Sequence, residues 1–169
     1  MNVYNMYLGL RRLITFDSRR VTQLWREKGV QIGEGTIVYR NVMLGRDGKD
    51  PITIGKNCVL TGCAILGHDA STNKLLGLLP GEHSMAQQVT IEDECFIGFG
   101  AIVLMGVTVG KGSIVGAGSV VTSDVPCRSV VVGNPARVIC TVDELIEKRK
   151  KLLLEHPEYF PDAPRNLDG

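Results

Sequence analysis

Between Ile91 and Val125, aliphatic residues stand at 91, 97, 103, 109, 115 and 121, one every six positions, with polar residues and glycines between them. Gly98, Gly110 and Gly116 follow an aliphatic anchor directly, while Cys95, Ala101, Ser113 and Ser119 come four places after one. A period of six matches neither the helical period nor a heptad, and a stretch so rich in Val, Ile and Gly makes a poor helix. The pattern predicts short strands alternating with turns. One such unit buries nothing alone, so its apolar side chains are covered only when coils stack, and the predicted class is an all-β solenoid. Three faces per coil put eighteen residues in each turn, with Ile91 over Val109, Ile97 over Val115 and Val103 over Val121.

The same period starts at Ile32 with the hexads IGEGTI and VYRNVM, and Leu44-Gly45 opens a third before RDGKDP interrupts it. Ile54 lies ten residues after Leu44, so four extra residues loop out; Ile54, Leu60 and Leu66 then read as anchors, with Cys58, Ala64 and Ala70 at small positions. The large break follows Leu66. It adds 19 residues beyond one hexad before Ile91, within HDASTNKLLGLLPGEHSMAQQ. Its leucines need something to pack on, and a neighbouring subunit or a ligand would serve. Asp124-Val125-Pro126 and Gly133-Asn134-Pro135 are turn signals around one last strand, Val130 to Val132.

The ends follow a helical period instead. Tyr4, Tyr7, Leu8, Leu10, Leu13, Ile14, Val21, Leu24 and Trp25 predict one or two amphipathic helices, with Asp17 or Ser18 as N-cap of the second. They are expected to cap the open end of the solenoid or to carry part of an acceptor site. Thr141 to Glu144 is a capping box that starts a helix over 141–156, ended by Pro157. The expected division is a helical cap at 1–28, repeats at 29–140 with an inserted loop at about 69–90, and a helix and tail at 141–169.

Composition narrows the function classes. Lys and Arg total 19 against 18 Asp and Glu, which provides no broad field for nucleic acid or an acidic membrane. The pairs Arg11-Arg12 and Arg19-Arg20, and EKRKK in the last helix, read as solvated helix faces. No signal-peptide pattern and no apolar run of bilayer length occurs, so a cytoplasmic protein with no transmembrane segment is expected. The five cysteines show no CxxC and no disulfide or zinc spacing, and they read as structural thiols.

His68 is the candidate for chemistry, because it sits where a rigid coil passes into the long loop, and such a junction holds a base in place while the loop shapes a pocket. A neutral imidazole takes a proton from an attacking hydroxyl or amine and returns it to the leaving group. Asp69 is its neighbour in sequence, but adjacent side chains in extended backbone point apart, so Asp69 is expected to bind acceptor or to cap the loop rather than pair with His68. Gly67 allows a close backbone approach, while Glu82 and His83 read as exposed loop residues. His68, His83 and His156 are too scattered for a three-histidine zinc site, so no metal is expected.

The unbroken hexads, the GHDAS junction and GNPARVI closely resemble the hexapeptide-repeat acyltransferases over roughly residues 30–140. That resemblance implies a left-handed parallel β-helix, His68 as general base, and acetyl-coenzyme A as acyl donor. It implies that Ala117 of GAGS and Thr122 of VVTSD contact coenzyme A, and that Arg137 of NPARVI lies near its phosphates. Phe99 departs from the pattern, standing where some sugar acetyltransferases place a small serine. The implied reaction is acetyl transfer to a hydroxyl of a sugar or glycan precursor, in a homotrimer with sites at its interfaces. The alternatives are an N-acetyltransferase acting on an amino sugar, or a non-catalytic binding solenoid. Serine is a further acceptor in the wider superfamily.

Overall fold

The computed structural model describes residues 18–77 and 85–160. The first of the expected N-terminal helices, Asp17, Glu82, His83 and the tail after Phe160 lie outside them. A helix α1 (Ser18–Glu27) leads into the first coil, β1 (Gln31–Ile32), β2 (Ile37–Val38) and β3 (Met43–Leu44). The second coil is β4 (Ile52–Ile54), β5 (Val59–Leu60) and β6 (Ala64–Ile65), followed by the hairpin strands β7 (His68–Asp69) and β8 (Met85–Ala86). The third is β9 (Val89–Ile91), β10 (Phe96–Ile97) and β11 (Ile102–Val103); the fourth is β12 (Thr108–Val109), β13 (Ile114–Val115) and β14 (Val120–Val121). Then come β15 (Ser129–Gly133), β16 (Ala136–Thr141) and α2 (Val142–Glu155).

Like-numbered strands of successive coils pair in parallel, giving three sheets in the orders β1-β4-β9-β12, β2-β5-β10-β13-β15-β16 and β3-β6-β11-β14. The architecture is a left-handed parallel β-helix flanked by helices, as expected. Its core is three aliphatic columns rather than a central cluster. Ile54, Ile91 and Val109 form one, Val38, Leu60, Ile97 and Val115 the second, and Leu44, Ile65, Val103 and Val121 the third, all essentially without exposure. Short side chains at the corners satisfy backbone groups of the next coil: Thr36 Oγ1 donates to Gly55 O at 2.7 Å, and Ser113 Oγ to Pro126 O at 2.7 Å. Cys58 and Cys95 do the same with thiols, to Glu92 O at 3.0 Å and Gly110 O at 3.3 Å. Burial pushes the Cys63 thiol up to about 12, which suits a packing role.

Both described ends are closed by polar stitching. Thr22, buried in α1, accepts the Val38 N–H at 2.9 Å, on the edge of β2 that no described strand pairs with. Arg26 donates to Ile32 O at 3.0 Å and Gly33 O at 2.7 Å. At the other end β16 turns back antiparallel on β15, so the segment read as a terminal strand and turn is a hairpin. The capping box of α2 forms as expected, with Glu144 N donating to Thr141 Oγ1 and Thr141 N to Glu144 Oε2.

One expected anchor is wrong. Ile65, not Leu66, pairs with Leu44 and Val103 and is fully buried, so it follows Leu60 by five positions instead of six. Cys63 takes the buried small position in place of Ala64, and Ala70 is exposed. The shortened turn passes through Gly62 at φ +51°, where a Cβ would lie 2.4 Å from the Phe99 ring. Glycine is required there twice over, by conformation and by the ring lying on it.

Candidate functional site

Two segments leave the solenoid at the same corner, after the third-sheet strand of their coil. The first is the insertion between β3 and β4. Its Lys28–Asp47 ion pair ties it to the end of α1, and it returns through Asp50 and Pro51. Asp50 carries a fully buried carboxylate: Arg46 Nε donates to its Oδ1 at 2.9 Å, and its Oδ2 faces His68 Nδ1 at 2.5 Å. Gly45 and Gly67 wall it in, since a Cβ on either would stand 2.4 Å from Asp50 Oδ2 or 2.7 Å from Asp50 Cβ. Burial pushes the Asp50 carboxyl up, but its hydrogen bonds to Arg46 and His68 outweigh that and hold it below the ordinary aspartate value of 3.8.

The second segment is the long loop, which rises on an antiparallel ladder. His68 pairs with Ala86 and Asp69 with Met85, and Gln87 N donates to Gly67 O at 3.1 Å. This ladder fixes the backbone of His68 while leaving its side chain 23% exposed. With Asp50 ionised, its Oδ2 accepts the Nδ1 proton of a neutral His68, leaving the Nε2 lone pair to accept another. Asp69 is exposed and caps the loop, its Oδ1 accepting from Ser71 N at 2.7 Å, so it is not the partner of His68. Leu75 and Leu76 of the loop are 86% and 68% exposed.

Sequence reasoning missed Asp50 and Arg46. The available signal was an acidic residue before proline in an insertion that leaves the same corner as the histidine loop. Of the expected coenzyme residues, Thr122 and Arg137 come together in a cleft of about 440 Å³, lined also by Ser123, Asp124, Val131 and Ala136. Thr122 follows β14 on the edge of the third sheet from which the His68 segment leaves, two coils further along. Ala117 is on the opposite edge, exposed in the turn after β13, where a Cβ on Gly98 would meet its backbone N at 2.6 Å. The Phe99 ring, 66% exposed, lies toward Gly62 in the second coil.

The outward positions of the sheets also differ. The first sheet presents Gln31, Thr53, Thr90 and Thr108. The second presents Ile37, Val59, Phe96 and Ile114, and the third Met43, Ala64, Ile102 and Val120. One side is polar and two are apolar. Among the described residues no three His, Cys, Asp or Glu side chains gather into a metal-holding group, and no helix is long and apolar enough to cross a membrane.

Residues 88–123 match the family described as the hexapeptide repeat of succinyl-transferase. A stretch of 72 residues is 43% identical to 2,3,4,5-tetrahydropyridine-2,6-dicarboxylate N-acetyltransferase of Staphylococcus aureus strain JH9; it makes up 43% of this chain and 30% of that protein. The match thus spans under a third of the curated relative. Among solved structures, a hexapeptide-repeat acetyltransferase from Vibrio cholerae superposes with a TM-score of 0.64 at 27% identity, covering 80% of this chain and 87% of that one. A second structure of that protein, from the O1 biovar eltor, is complexed with acetyl coenzyme A; its TM-score is 0.53 at 25% identity, over 76% of this chain and 79% of that one. A maltose O-acetyltransferase from Clostridium difficile 630 gives 0.53 at 26% identity, over 79% of this chain and 82% of that one.

Proposed function

We infer that this chain is a hexapeptide-repeat acyltransferase that moves an acetyl group from acetyl-coenzyme A to an amine or hydroxyl, with His68 as general base. The observation that carries the reading is the buried Asp50 carboxylate on His68 Nδ1 at the root of a long loop. In this reading His68 Nε2 takes the proton of the acceptor N–H or O–H as the heteroatom attacks the thioester carbonyl. The C–S bond then breaks, and the proton passes to the departing thiolate. Asp50 holds the ring and stabilises the imidazolium formed in between. Thr122 and Arg137 border the cleft that would take part of the coenzyme, the guanidinium being suited to phosphate oxygens. The acetyl-coenzyme A complex of the Vibrio cholerae protein supports the choice of donor.

For the acceptor, the amine is the better supported alternative, because the 43% identical relative is an N-acetyltransferase. A sugar hydroxyl, favoured from the sequence, is the second reading and draws on the likeness to the maltose O-acetyltransferase. The proposed assembly is a homotrimer. Its support is the pair of apolar outer faces and the placement of Thr122 and Ala117 on opposite edges of one sheet, which a second copy would bring into one site. The chain is expected to work in the cytoplasm.

The test is release of free thiol from acetyl-coenzyme A with a panel of amino acids, amino sugars and sugars, beside calorimetric titration with coenzyme A. Acceptor-dependent release names the substrate class. Saturable binding without release would leave a binding solenoid, and no binding would sink the donor assignment.

A further inference from the structure

The insertion between the first two coils resembles a tolerated surface loop, yet it supplies both side chains that stand behind His68. Arg46 and Asp50 are four residues apart within it, and they meet at 2.9 Å through Arg46 Nε and Asp50 Oδ1. The Asp50 side chain has no exposure, whereas that of Arg46 is 41% exposed. A carboxylate removed from water to that degree needs charge-assisted partners, and a neutral imidazole is only one neutral donor. Arg46 supplies the cation. Its bond also restrains rotation of the carboxylate, since one oxygen is committed and the other is left on His68 Nδ1.

The insertion is itself braced. Asp47 pairs with Lys28 at the end of α1, and a Cβ on Gly48 would lie 2.8 Å from Lys28 O, so the loop sits directly on the backbone beneath it. Gly45 and Gly67 close the other sides of the carboxylate with backbone rather than side chains. We propose that Arg46 is a positioning residue of this site: by holding one oxygen of Asp50 it keeps the other on His68 Nδ1, and so determines which imidazole nitrogen is left to take the acceptor's proton. The chain of contact runs Arg46, Asp50, His68, acceptor. The proposal rests on the acyltransferase reading for its kinetic consequence, but not for its structural one.

The experiment is a double-mutant cycle read by steady-state kinetics, combined with ¹⁵N spectra of the His68 ring in the full-length protein. Arg46→Gln is expected to lower kcat about 10–100-fold, as for other partners that orient a reactive side chain, with KM within about twofold of the original. Arg46→Lys should recover part of the loss, because it restores charge but not the planar fork. In an Asp50→Asn background Arg46→Gln should cost less than about twofold, since the oxygen it orients no longer carries charge. The ring spectrum should show one tautomer, protonated at Nδ1, in the original protein and an averaged pattern in Arg46→Gln. An unchanged kcat in Arg46→Gln, or an equal loss in both backgrounds, would overturn the proposal. If the original protein transfers acetyl to no acceptor, the acyltransferase reading fails, and the ring spectrum alone decides whether Arg46 sets the tautomer.

Discussion

The third and fourth coils and the second coil are built from the same hexads, yet they do different work. From Ile91 to Val121 every pairing keeps one spacing: Ile91 with Val109, Ile97 with Val115, Val103 with Val121. The second coil departs from that spacing three times. It is entered through the insertion that carries Arg46 and Asp50, it loses a residue between Leu60 and Ile65, and it leaves through the hairpin that carries His68. A strict repeat places equivalent residues at fixed heights about 4.8 Å apart along the axis and can offer only columns of like side chains. Bringing a buried carboxylate against an imidazole takes chain that leaves the repeat and comes back. The regular coils supply the rigidity, and the irregular one supplies the candidate site.

Substitutions should divide along that line. The largest effect is expected for Asp50→Asn, which should lower kcat by about 10²–10⁴-fold by leaving the imidazole with the wrong tautomer. Ile97→Ala in the regular coils should show the converse profile. It removes a fully buried side chain and should cost about 2–5 kcal/mol in urea unfolding, with kcat per folded molecule nearly unchanged. A large loss of kcat there would erase the distinction between the two regions.

Gly62→Ala, at the five-residue turn, should cost about 1–3 kcal/mol, from the left-handed backbone and the Phe99 ring against it. Phe99→Ala in the same chain should relieve the steric part and leave the conformational one. A smaller effect is expected from acid. The folded-state carboxyl of Asp50 lies below its ordinary value of 3.8, so its stabilisation is present above that value and is lost as pH falls through the folded one. The difference in unfolding free energy between the original protein and Asp50→Asn should therefore hold from neutral pH down to the ordinary value of 3.8 and shrink on further acidification, as read by urea titration at each pH. Asp69→Ala should have the smallest effect, a change in kcat of less than about threefold, because its carboxylate is engaged by Ser71 within an exposed turn.

The hexads were legible because burial at one position in six is written directly into side-chain chemistry. The capping box at Thr141 was legible because both of its bonds are local in sequence. Ile65 was misread as Leu66 since the two are equally aliphatic, and the residue removed from the turn leaves no trace in hydrophobicity. The β15–β16 hairpin was hidden because Ala136–Thr141 carries exposed Val138 and Ile139, with no burial alternation to mark a strand. His68 stood out by its position at the start of the loop. Asp50 did not, because its partner is eighteen residues away across one coil, and a pairing at that range depends on where one insertion returns to the solenoid and the next one leaves it.

In the proposed mechanism the proton of the acceptor passes to His68. The most direct test is the rate of thiol release from acetyl-coenzyme A by the original protein and by His68→Ala, with the best acceptor, at equal concentrations of folded protein. The expected outcome is a fall of about 10²–10⁴-fold in kcat, with coenzyme A binding retained. A His68→Ala protein that transfers acetyl within about threefold of the original rate would contradict it and move the chemistry to another part of the molecule.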